Sequence, residues 1–319
     1  MAKPAARRGR WKARAAYGLM VTIVGAVLMN LITDALVSRY ERNAPRDPGA
    51  DFLQGATPRE LGPPDAGRAV LFIHGFIGAQ SNFNDLPDRV AEDGWFVRTM
   101  RLPGHGSSPR DFERTSTEDL IAGVREEVRA LRVRFPDVVL VGHSLGGALA
   151  AIVAAEEPVQ GLVLCAPYFE LTWSDTLGFR LERFAPTIAP IIRWFPGRSG
   201  GGPVNLKENR KRIDFYRWIP AQGMIAAAGV ARRARDKTTL GAITAPVLAI
   251  HSRIDTITSP EATAAALPAI ASARKAMIWL ETSDHVVFWD YESDQVTAAI
   301  RAFLEEVKSH DANQPGVRE

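Results

Sequence analysis

A serine between two glycines is the first feature of this sequence that points to chemistry. The segment Gly142-His-Ser-Leu-Gly146 follows the apolar run Val138–Val141 and precedes an alanine-rich stretch, which predicts a turn from a strand into a helix. Such a turn strains the backbone and holds the serine hydroxyl outward, and side chains at positions 142 and 146 would collide with neighbouring backbone. The helix N-terminus adds free amides beside that hydroxyl. We therefore predict Ser144 as a nucleophile.

A serine hydroxyl needs a base to remove its proton and an acid to orient that base. Of the six histidines, His285 is the one that follows the last predicted strand and precedes the final helix, where it can fold back over Ser144. Asp255 follows the apolar run Val247–Ile250, which gives the chain order serine, aspartate, histidine. Asp284 competes as the acid, but an immediate neighbour of His285 rarely directs its carboxylate at that ring. We predict His285 as the base and Asp255 as the acid.

Attack on a carbonyl group also needs backbone N–H groups that face the oxygen as it becomes negative. The amide of Leu145, directly after Ser144, is the first expected donor. The second is expected in the loop after the first strand of the body, residues 74–78, at the amide of Phe76. His74 in the same loop is expected to brace it by hydrogen bonding rather than to react.

These residues must be held by a scaffold of alternating strands and helices. Short apolar runs predict strands at Ala69–Ile73, Trp95–Met100, Val138–Val141, Leu162–Cys165, Val247–Ile250 and Met277–Leu280. Helical spacing predicts helices at about Phe83–Asp93, Thr117–Phe135, Leu145–Glu156, Pro260–Leu267 and Tyr291–Lys308. This alternation predicts a mostly parallel sheet with helices on both faces and ligands at the carboxyl ends of the strands. Residues 167–245 interrupt it, and we predict an inserted helical cap there, with helices near Ser174–Phe184 and Gln222–Arg235.

The ordered motifs resemble the α/β-hydrolase superfamily, and within it the bacterial carboxylesterases and monoacylglycerol lipases. The matching segments are Leu71-Phe-Ile-His-Gly-Phe76, Leu102-Pro-Gly-His-Gly106, Gly142-His-Ser-Leu-Gly-Gly147, Arg253-Ile-Asp255, Ser283-Asp-His285 and Asp290-Tyr-Glu-Ser-Asp294. The resemblance covers nearly all of residues 68–308. It implies the α/β-hydrolase fold and ester hydrolysis through a serine, histidine and aspartate triad, and it supports the predicted parts of Ser144, Asp255, His285, Phe76 and Leu145. It also implies a structural rather than a catalytic part for His105.

Composition limits the partners of the protein. The chain has 319 residues and a net charge of +3, but six of its basic residues lie within the first fourteen, which contain no acidic residue. Without that segment the chain carries 33 basic and 36 acidic residues, so no nucleic-acid partner is expected for its body. The single cysteine, Cys165, lies in a predicted buried strand, and no cluster of metal-ligand residues is apparent in the sequence. We expect neither a metal nor an organic cofactor.

The N-terminal region predicts attachment of the protein to a membrane. Residues 1–14 form a basic tail, residues 15–37 an apolar signal anchor, and residues 38–67 a flexible linker rich in proline and glycine. The positive-inside bias keeps the tail cytoplasmic and places the hydrolase domain, residues 68–308, outside the cytoplasm, which is the periplasm in a Gram-negative cell. Cleavage after Ala35 is the alternative, since a secretory signal has a similar pattern. Residues 309–319 form a C-terminal tail.

The sequence leaves the substrate open. A small ester or a lipid is the expected substrate, while thioester, lactone or amide hydrolysis and acyl transfer use the same machinery. A membrane-tethered scaffold without activity is the alternative from another class. The cap residues Phe179, Phe184, Ile188, Ile191, Ile192, Trp194 and Phe195 could line an acyl pocket or pack its underside, and the interspersed Arg180, Arg183 and Arg193 could rest on anionic headgroups. The sequence gives no oligomeric state.

Overall fold

The computed structural model describes residues 5–172, 187, 189, 191–197, 202–212 and 216–312. Its strands are β1 Arg59–Leu61, β2 Arg68–Ile73, β3 Phe96–Thr99, β4 Asp137–His143, β5 Gly161–Cys165, β6 Trp194–Pro196, β7 Trp218–Pro220, β8 Val247–Ser252 and β9 Lys275–Leu280. Its α-helices are α1 Ala5–Asn43, α2 Leu86–Glu92, α3 Pro109–Glu113, α4 Thr117–Arg134, α5 Leu145–Glu156, α6 Ala221–Ala234, α7 Lys237–Ala242, α8 Pro260–Ala266 and α9 Ser293–Ala312. Short 3₁₀ helices lie at Gln80–Phe83, Lys207–Arg212, Leu267–Ala269 and Val287–Trp289.

A seven-stranded sheet forms the centre, in the order β1-β3-β2-β4-β5-β8-β9. All its neighbouring strands pair in parallel except β1, which pairs antiparallel with β3 at one edge. Strands β4 and β5 are buried along almost their whole length because helices cover both faces. The fold class predicted from the alternation of strands and helices is thus confirmed.

The two faces of the sheet have separate cores. Alternate residues of β2 point to opposite faces, so that Leu71 packs with α4, α5 and α6, while Val70 and Phe72 pack with α2 and α9. Each predicted strand overlaps an observed one. The edge strand β1 was not predicted, since its sequence Arg-Glu-Leu carries no apolar pattern.

The second half of the predicted cap belongs to the flank of the sheet instead. Helix α6 overlaps the predicted helix at Gln222–Arg235, but its small apolar face, including Ala226, Ala227 and Val230, packs in the core against α5. The predicted cap boundary at residue 245 was therefore too far along the chain. The remainder of the cap contributes the antiparallel pair β6 and β7, which we call the cap ribbon. The predicted helix at Ser174–Phe184 lies outside the described residues, and so do its members Phe179, Arg180 and Arg183. Ile188 lies outside them as well.

The N-terminal region differs from the sequence prediction at the C-terminal end of its helix. Helix α1 is 39 residues long and continues to Asn43, beyond the predicted end at residue 37. Its stretch Ala13–Asn43 is long and apolar enough to cross a membrane. The prediction of a flexible linker over residues 38–67 was wrong. Backbone bonds such as Leu53 N–H to Gly106 O (2.7 Å) fix this segment on the domain, and β1 joins the sheet.

The C-terminal end of the domain also lies further along the chain than predicted. Helix α9 continues through Ala312 rather than ending near Lys308. Its apolar face, which includes Val296, Ile300 and Leu304, packs on the sheet at helical spacing. Residues 313–319 of the predicted tail lie outside the described residues.

Candidate active site

The turn between β4 and α5 holds Ser144 in a strained backbone conformation. Its φ angle is +54°, in the left-handed region that residues with a side chain rarely adopt. Two glycines permit the turn: a Cβ at position 146 would lie 1.9 Å from the carbonyl oxygen of Ile73, and one at position 142 would lie 2.4 Å from that of Gly146. The Ser144 amide is tied to the carbonyl of Cys165 at 2.9 Å. The turn therefore presents the hydroxyl at the carboxyl edge of the sheet.

Three side chains that are distant in sequence meet at this edge. Ser144 Oγ lies 2.9 Å from His285 Nε2, and His285 Nδ1 lies 2.8 Å from Asp255 Oδ2. His285 occupies the loop after β9, and Asp255 the loop after β8. All three residues are buried, with 5 % or less of each exposed. In the neutral histidine, Nδ1–H donates to the carboxylate and Nε2 is free to accept the serine proton.

The carboxylate of Asp255 accepts more hydrogen bonds than the triad alone requires. Its Oδ2 accepts from His285, from His251 Nε2 at 3.1 Å and from Thr258 Oγ1 at 2.9 Å, while its Oδ1 accepts from the amides of Ile257 and Thr258. Burial by itself would raise the pKa of Asp255, but the interaction with His285 and the hydrogen bonds from both histidines outweigh it. The pKa is held well below its usual range, and the carboxylate stays ionised.

Asp284, the competing acid, is turned away from the histidine ring. Its Oδ1 accepts hydrogen bonds from the amide and the hydroxyl of Thr256, both at 2.9 Å, and from the amide of His285 at 2.8 Å. It therefore fixes the backbone of the histidine loop against the aspartate loop. Asp290 holds the same loop from the other side by accepting from the amide of Asp284 at 2.7 Å.

Buried neutral histidines brace the surroundings of Ser144. His143 Nε2 lies 3.0 Å from the carbonyl oxygen of His285, and burial lowers the pKa of His143 to about 3. Its Nε2–H therefore donates to that carbonyl. His74 Nε2 accepts from the amide of Leu102 at 3.1 Å, and its Nδ1–H donates to the carbonyl of Gly75 at 2.9 Å. Burial lowers the pKa of His74 to about 4, so this ring braces its loop without charge.

The loop expected to supply an oxyanion donor lies directly against Ser144. A Cβ placed on Gly75 would meet the Cβ of Ser144 at 3.0 Å, so the backbone before Phe76 passes close to Ser144. Leu145 is the first residue of α5, where the amide has no partner within the helix. Phe76 packs its ring edge-on against Phe112, with 5.4 Å between ring centroids. Both predicted donor residues thus flank Ser144.

Sequence reasoning missed the second histidine on Asp255. His251 is fully buried at the end of β8, with Nε2 on Asp255 and Nδ1 2.9 Å from Thr263 Oγ1. The four-residue interval between His251 and Asp255 could have suggested the contact. Thr258 was missed as well, although a threonine three residues after an aspartate often bonds to it locally.

The fold and this site define a hydrolase of the α/β-hydrolase class, and comparison with known proteins narrows the class. The family model Hydrolase_4, described as serine aminopeptidase, S33, matches residues 64–292. Since this is well over half of the chain, the protein belongs to that family. Its relatives are esterases and lipases by name, and the chain is an esterase or lipase-type hydrolase.

Two relatives in sequence match along nearly their whole length. The thermostable monoacylglycerol lipase of Bacillus sp. (strain H-257) is 28 % identical over 255 residues, which cover 76 % of this chain and 92 % of the relative. The carboxylesterase of Bacillus subtilis (strain 168) is 24 % identical over 261 residues, which cover 80 % of this chain and 99 % of the relative.

Solved structures agree on the fold. A structure from work on the metagenome-derived lipolytic enzymes LipS and LipT superposes with a TM-score of 0.72 at 24 % identity, over 80 % of this chain and 99 % of that one. A soluble variant of monoglyceride lipase from Saccharomyces cerevisiae, in complex with a substrate analogue, gives a TM-score of 0.68 at 17 % identity, over 78 % and 90 % of the two chains.

Proposed function

We propose that this protein hydrolyses carboxylic esters with Ser144 as nucleophile, His285 as general base and Asp255 as the acid that orients the histidine. The observation that carries the proposal is the continuous pair of hydrogen bonds from Ser144 Oγ to His285 and from His285 to Asp255, at 2.9 and 2.8 Å. The placement of these groups at the carboxyl edge of a parallel sheet supports the same assignment.

In the first half of the reaction, the Oγ of Ser144 attacks the ester carbonyl carbon while its proton passes to His285 Nε2. The ionised Asp255 stabilises the resulting imidazolium. The tetrahedral intermediate then collapses: the bond to the leaving oxygen breaks, and His285 returns the proton to that oxygen. An alcohol leaves, and the acyl group remains on Ser144.

In the second half, a water molecule replaces the alcohol. His285 takes a proton from the water as its oxygen attacks the acyl carbon, and then gives the proton to Ser144 Oγ as the acyl–serine bond breaks. The products are a carboxylic acid and the free enzyme. The amides of Phe76 and Leu145 are the proposed donors to the oxyanion in both halves, and one such donor is typically worth about 10²–10³ in rate.

The proposed substrate class is an acyl ester, from short-chain esters to monoacylglycerols. The names of the relatives support this class, since they include a monoacylglycerol lipase and a carboxylesterase. The family description instead names an aminopeptidase, so amide hydrolysis is the second candidate. Two sets of chromogenic substrates distinguish these candidates. Hydrolysis of p-nitrophenyl esters reports esterase activity, and hydrolysis of aminoacyl p-nitroanilides reports amidase activity.

We also propose that α1 is an uncleaved membrane anchor that places the hydrolase domain outside the cytoplasm. The length and apolar character of Ala13–Asn43 support a single span. The basic residues before it favour a cytoplasmic N-terminus. Hydrogen bonds and ion pairs between the C-terminal part of α1 and the domain also favour a helix that is retained rather than cleaved.

A fluorophosphonate probe tests the nucleophile directly. Wild-type protein should be labelled, and Ser144→Ala should lose labelling and lower kcat on a p-nitrophenyl ester by about a millionfold, the scale seen when a triad serine is removed. Ser81→Ala is the matched control, because the Ser81 hydroxyl is buried and has no hydrogen-bond partner among the described residues. Correctly folded wild type that resists the probe would contradict the proposal and favour a scaffold. Labelling that survives in Ser144→Ala would assign the nucleophile elsewhere.

A further inference from the structure

The outer end of α1 docks on the hydrolase domain through a stripe of polar residues. Asn30, Asp34, Ser38 and Glu41 recur at helical spacing on one face of α1. Asn30 pairs with the backbone near the cap ribbon: its Nδ2 donates to the carbonyl of Ile191 at 2.8 Å, and its Oδ1 accepts from the amide of Arg193 at 3.0 Å.

Asp34 and Glu41 complete the docking contact. Asp34 Oδ1 accepts from Arg110 at 3.0 Å, from Arg193 at 2.9 Å and from Trp194 Nε1 at 3.2 Å. Arg110 also donates to Glu41 Oε2 at 3.1 Å. A carboxylate near a membrane span is costly unless it is paired, and this pairing explains why Asp34 is tolerated there. The docking stripe therefore fixes the angle and height of the domain on the anchor.

This contact sets the level of the membrane surface on the protein, provided that α1 spans the bilayer as proposed above. The exposed part of α1 before the stripe, Ala13–Met29, has about 17 residues and extends about 25 Å, close to the hydrocarbon thickness. The hydrocarbon boundary thus falls near Asn30–Thr33. The headgroup layer, which adds about 5–7 Å on each side, reaches to about Leu36.

A groove between α1 and the cap ribbon begins at the outer limit of this layer and extends away from the membrane. The groove has a volume of about 550 Å³. It is lined on one side by the last turns of α1, from Leu36 to Asn43, and by Pro45, and on the other side by Arg217 and Trp218 at the start of β7. Its walls are mostly apolar: Leu36, Pro45 and Trp218 present carbon surfaces. The groove is large enough for a glycerol phosphate headgroup with the beginning of an acyl chain.

Two arginines give the groove its charge. Arg39 and Arg217 are both exposed and line it, and neither forms an ion pair with any residue that the structure describes. The nearby acids of α1, Asp34 and Glu41, are already occupied by Arg110 and Arg193. Side chains of a helix lean toward its N-terminus, so the guanidinium of Arg39 is directed back toward the membrane. The groove thus combines free positive charge with an apolar wall next to the headgroup layer.

We propose that this groove binds one anionic phospholipid of the outer leaflet. Its phosphate would lie between the guanidinium groups of Arg39 and Arg217, with the adjoining chain along Leu36 and Trp218. The charge complementarity, the position next to the headgroup layer and the direction of the Arg39 side chain toward that layer favour a membrane lipid over a soluble partner as the occupant. The proposal rests on α1 remaining a membrane span, and it is separate from the catalytic assignment.

Native mass spectrometry of the full chain, released from nanodiscs, tests this site. Wild type should retain dioleoylphosphatidylglycerol in preference to dioleoylphosphatidylcholine, with one lipid bound per chain. The double variant Arg39→Gln, Arg217→Gln should weaken that retention by about fivefold for each arginine. Arg42→Gln is the matched control, since Arg42 is an exposed arginine on the same helix that does not line the groove. Substitution of both groove arginines by lysine should restore part of the retention.

The outcomes separate this proposal from the anchor on which it depends. Release of the chain from membranes by alkaline carbonate would overturn the anchor and the lipid site together. A chain that stays membrane-integral but retains both lipids equally, or an Arg42→Gln variant that loses as much lipid as the double variant, would overturn the lipid site alone. Displacement of phosphatidylglycerol by millimolar inorganic phosphate would show that the arginines bind phosphate without a lipid, which also overturns the proposal.

Discussion

Two aspartates of this protein sit at the centre of similar networks in opposite surroundings. Asp255 accepts from two histidines and a threonine with its side chain fully buried, and Asp34 accepts from two arginines and a tryptophan with 35 % of its side chain exposed. In the buried network, each lost donor leaves an uncompensated charge in a medium of low dielectric constant. In the exposed network, water and salt replace what is lost. We infer that the first network performs chemistry and the second positions one part of the molecule on another.

The largest expected effect is on the buried aspartate. Asp255→Asn should lower kcat for ester hydrolysis by about 10⁴, because the neutral amide no longer selects the right histidine tautomer or stabilises the imidazolium. Asp284→Asn, in the same pair of loops but turned away from the ring, should lower kcat by less than about tenfold. Steady-state kinetics on a p-nitrophenyl ester measures both. Equal losses in the two variants would assign the orienting role to neither residue.

A glycine beside Ser144 tests how tightly the edge of the sheet around that residue is packed. Gly146→Ala places a methyl group 1.9 Å from the carbonyl oxygen of Ile73, so we expect a loss of about 3 kcal/mol in the free energy of unfolding. Gly241→Ala, in α7 with open space around the added carbon, should gain up to about 1 kcal/mol. Urea unfolding in detergent compares the two. An unchanged midpoint for Gly146→Ala would show that the turn can yield.

As the pH is lowered, the free energy of unfolding should fall through a buried histidine before the carboxylates of the exposed network are protonated. Burial lowers the pKa of His105 to about 3, while the unfolded chain titrates near the ordinary histidine value of about 6.5. Between these values the unfolded state binds the extra proton, so stability falls as pH falls, by about 1.4 kcal/mol per pH unit for this group. His105→Asn keeps a donor for the carbonyl of Pro103 and should reduce the slope by that amount. Unfolding free energies at several pH values between 4.5 and 6 measure it. A slope unchanged by the substitution would mean that His105 is protonated in the folded protein.

The smallest expected effect is at the docking stripe. Asp34→Asn removes the charge from two partly exposed ion pairs, and such pairs contribute about 1 kcal/mol or less. The free energy of unfolding should therefore change by no more than that, and the difference from wild type should shrink in 1 M salt. A loss of several kcal/mol would show that this network behaves like the buried one, and the contrast between the two aspartates would fail.

Much of the catalytic edge could be anticipated from the sequence because its cues are local. The glycines around Ser144 are required by a turn of a few residues, and strands of a parallel sheet are apolar throughout. The structure brings Ser144, His285 and Asp255 together, and their catalytic roles stay a prediction until the variants are measured. The sheet class followed from the alternation of elements alone.

The contacts that were not anticipated join residues with no shared local pattern. His251 reaches Asp255 only because β8 ends beside the aspartate loop, and its own sequence context is that of any buried strand end. The docking of Asp34 on Arg110 and Arg193 joins residues more than 70 positions apart. Residues 38–67 were predicted as a linker from their proline and glycine content, which does not reveal backbone bonds such as that from Leu53 to Gly106. Helix α6 was assigned to the cap because the helical spacing of its alanine residues does not reveal which element packs against them.

The sequence by itself determined the inner strands of the sheet, most of its helices and which residue types could react, since turns, strands and amphipathic helices depend on neighbours along the chain. Only the tertiary structure decided that a second histidine contacts Asp255, which helix covers the sheet, and how the N-terminal helix is held. Those choices depend on the packing of surfaces and on the pairing of charges across long loops, and neither is encoded at a fixed spacing.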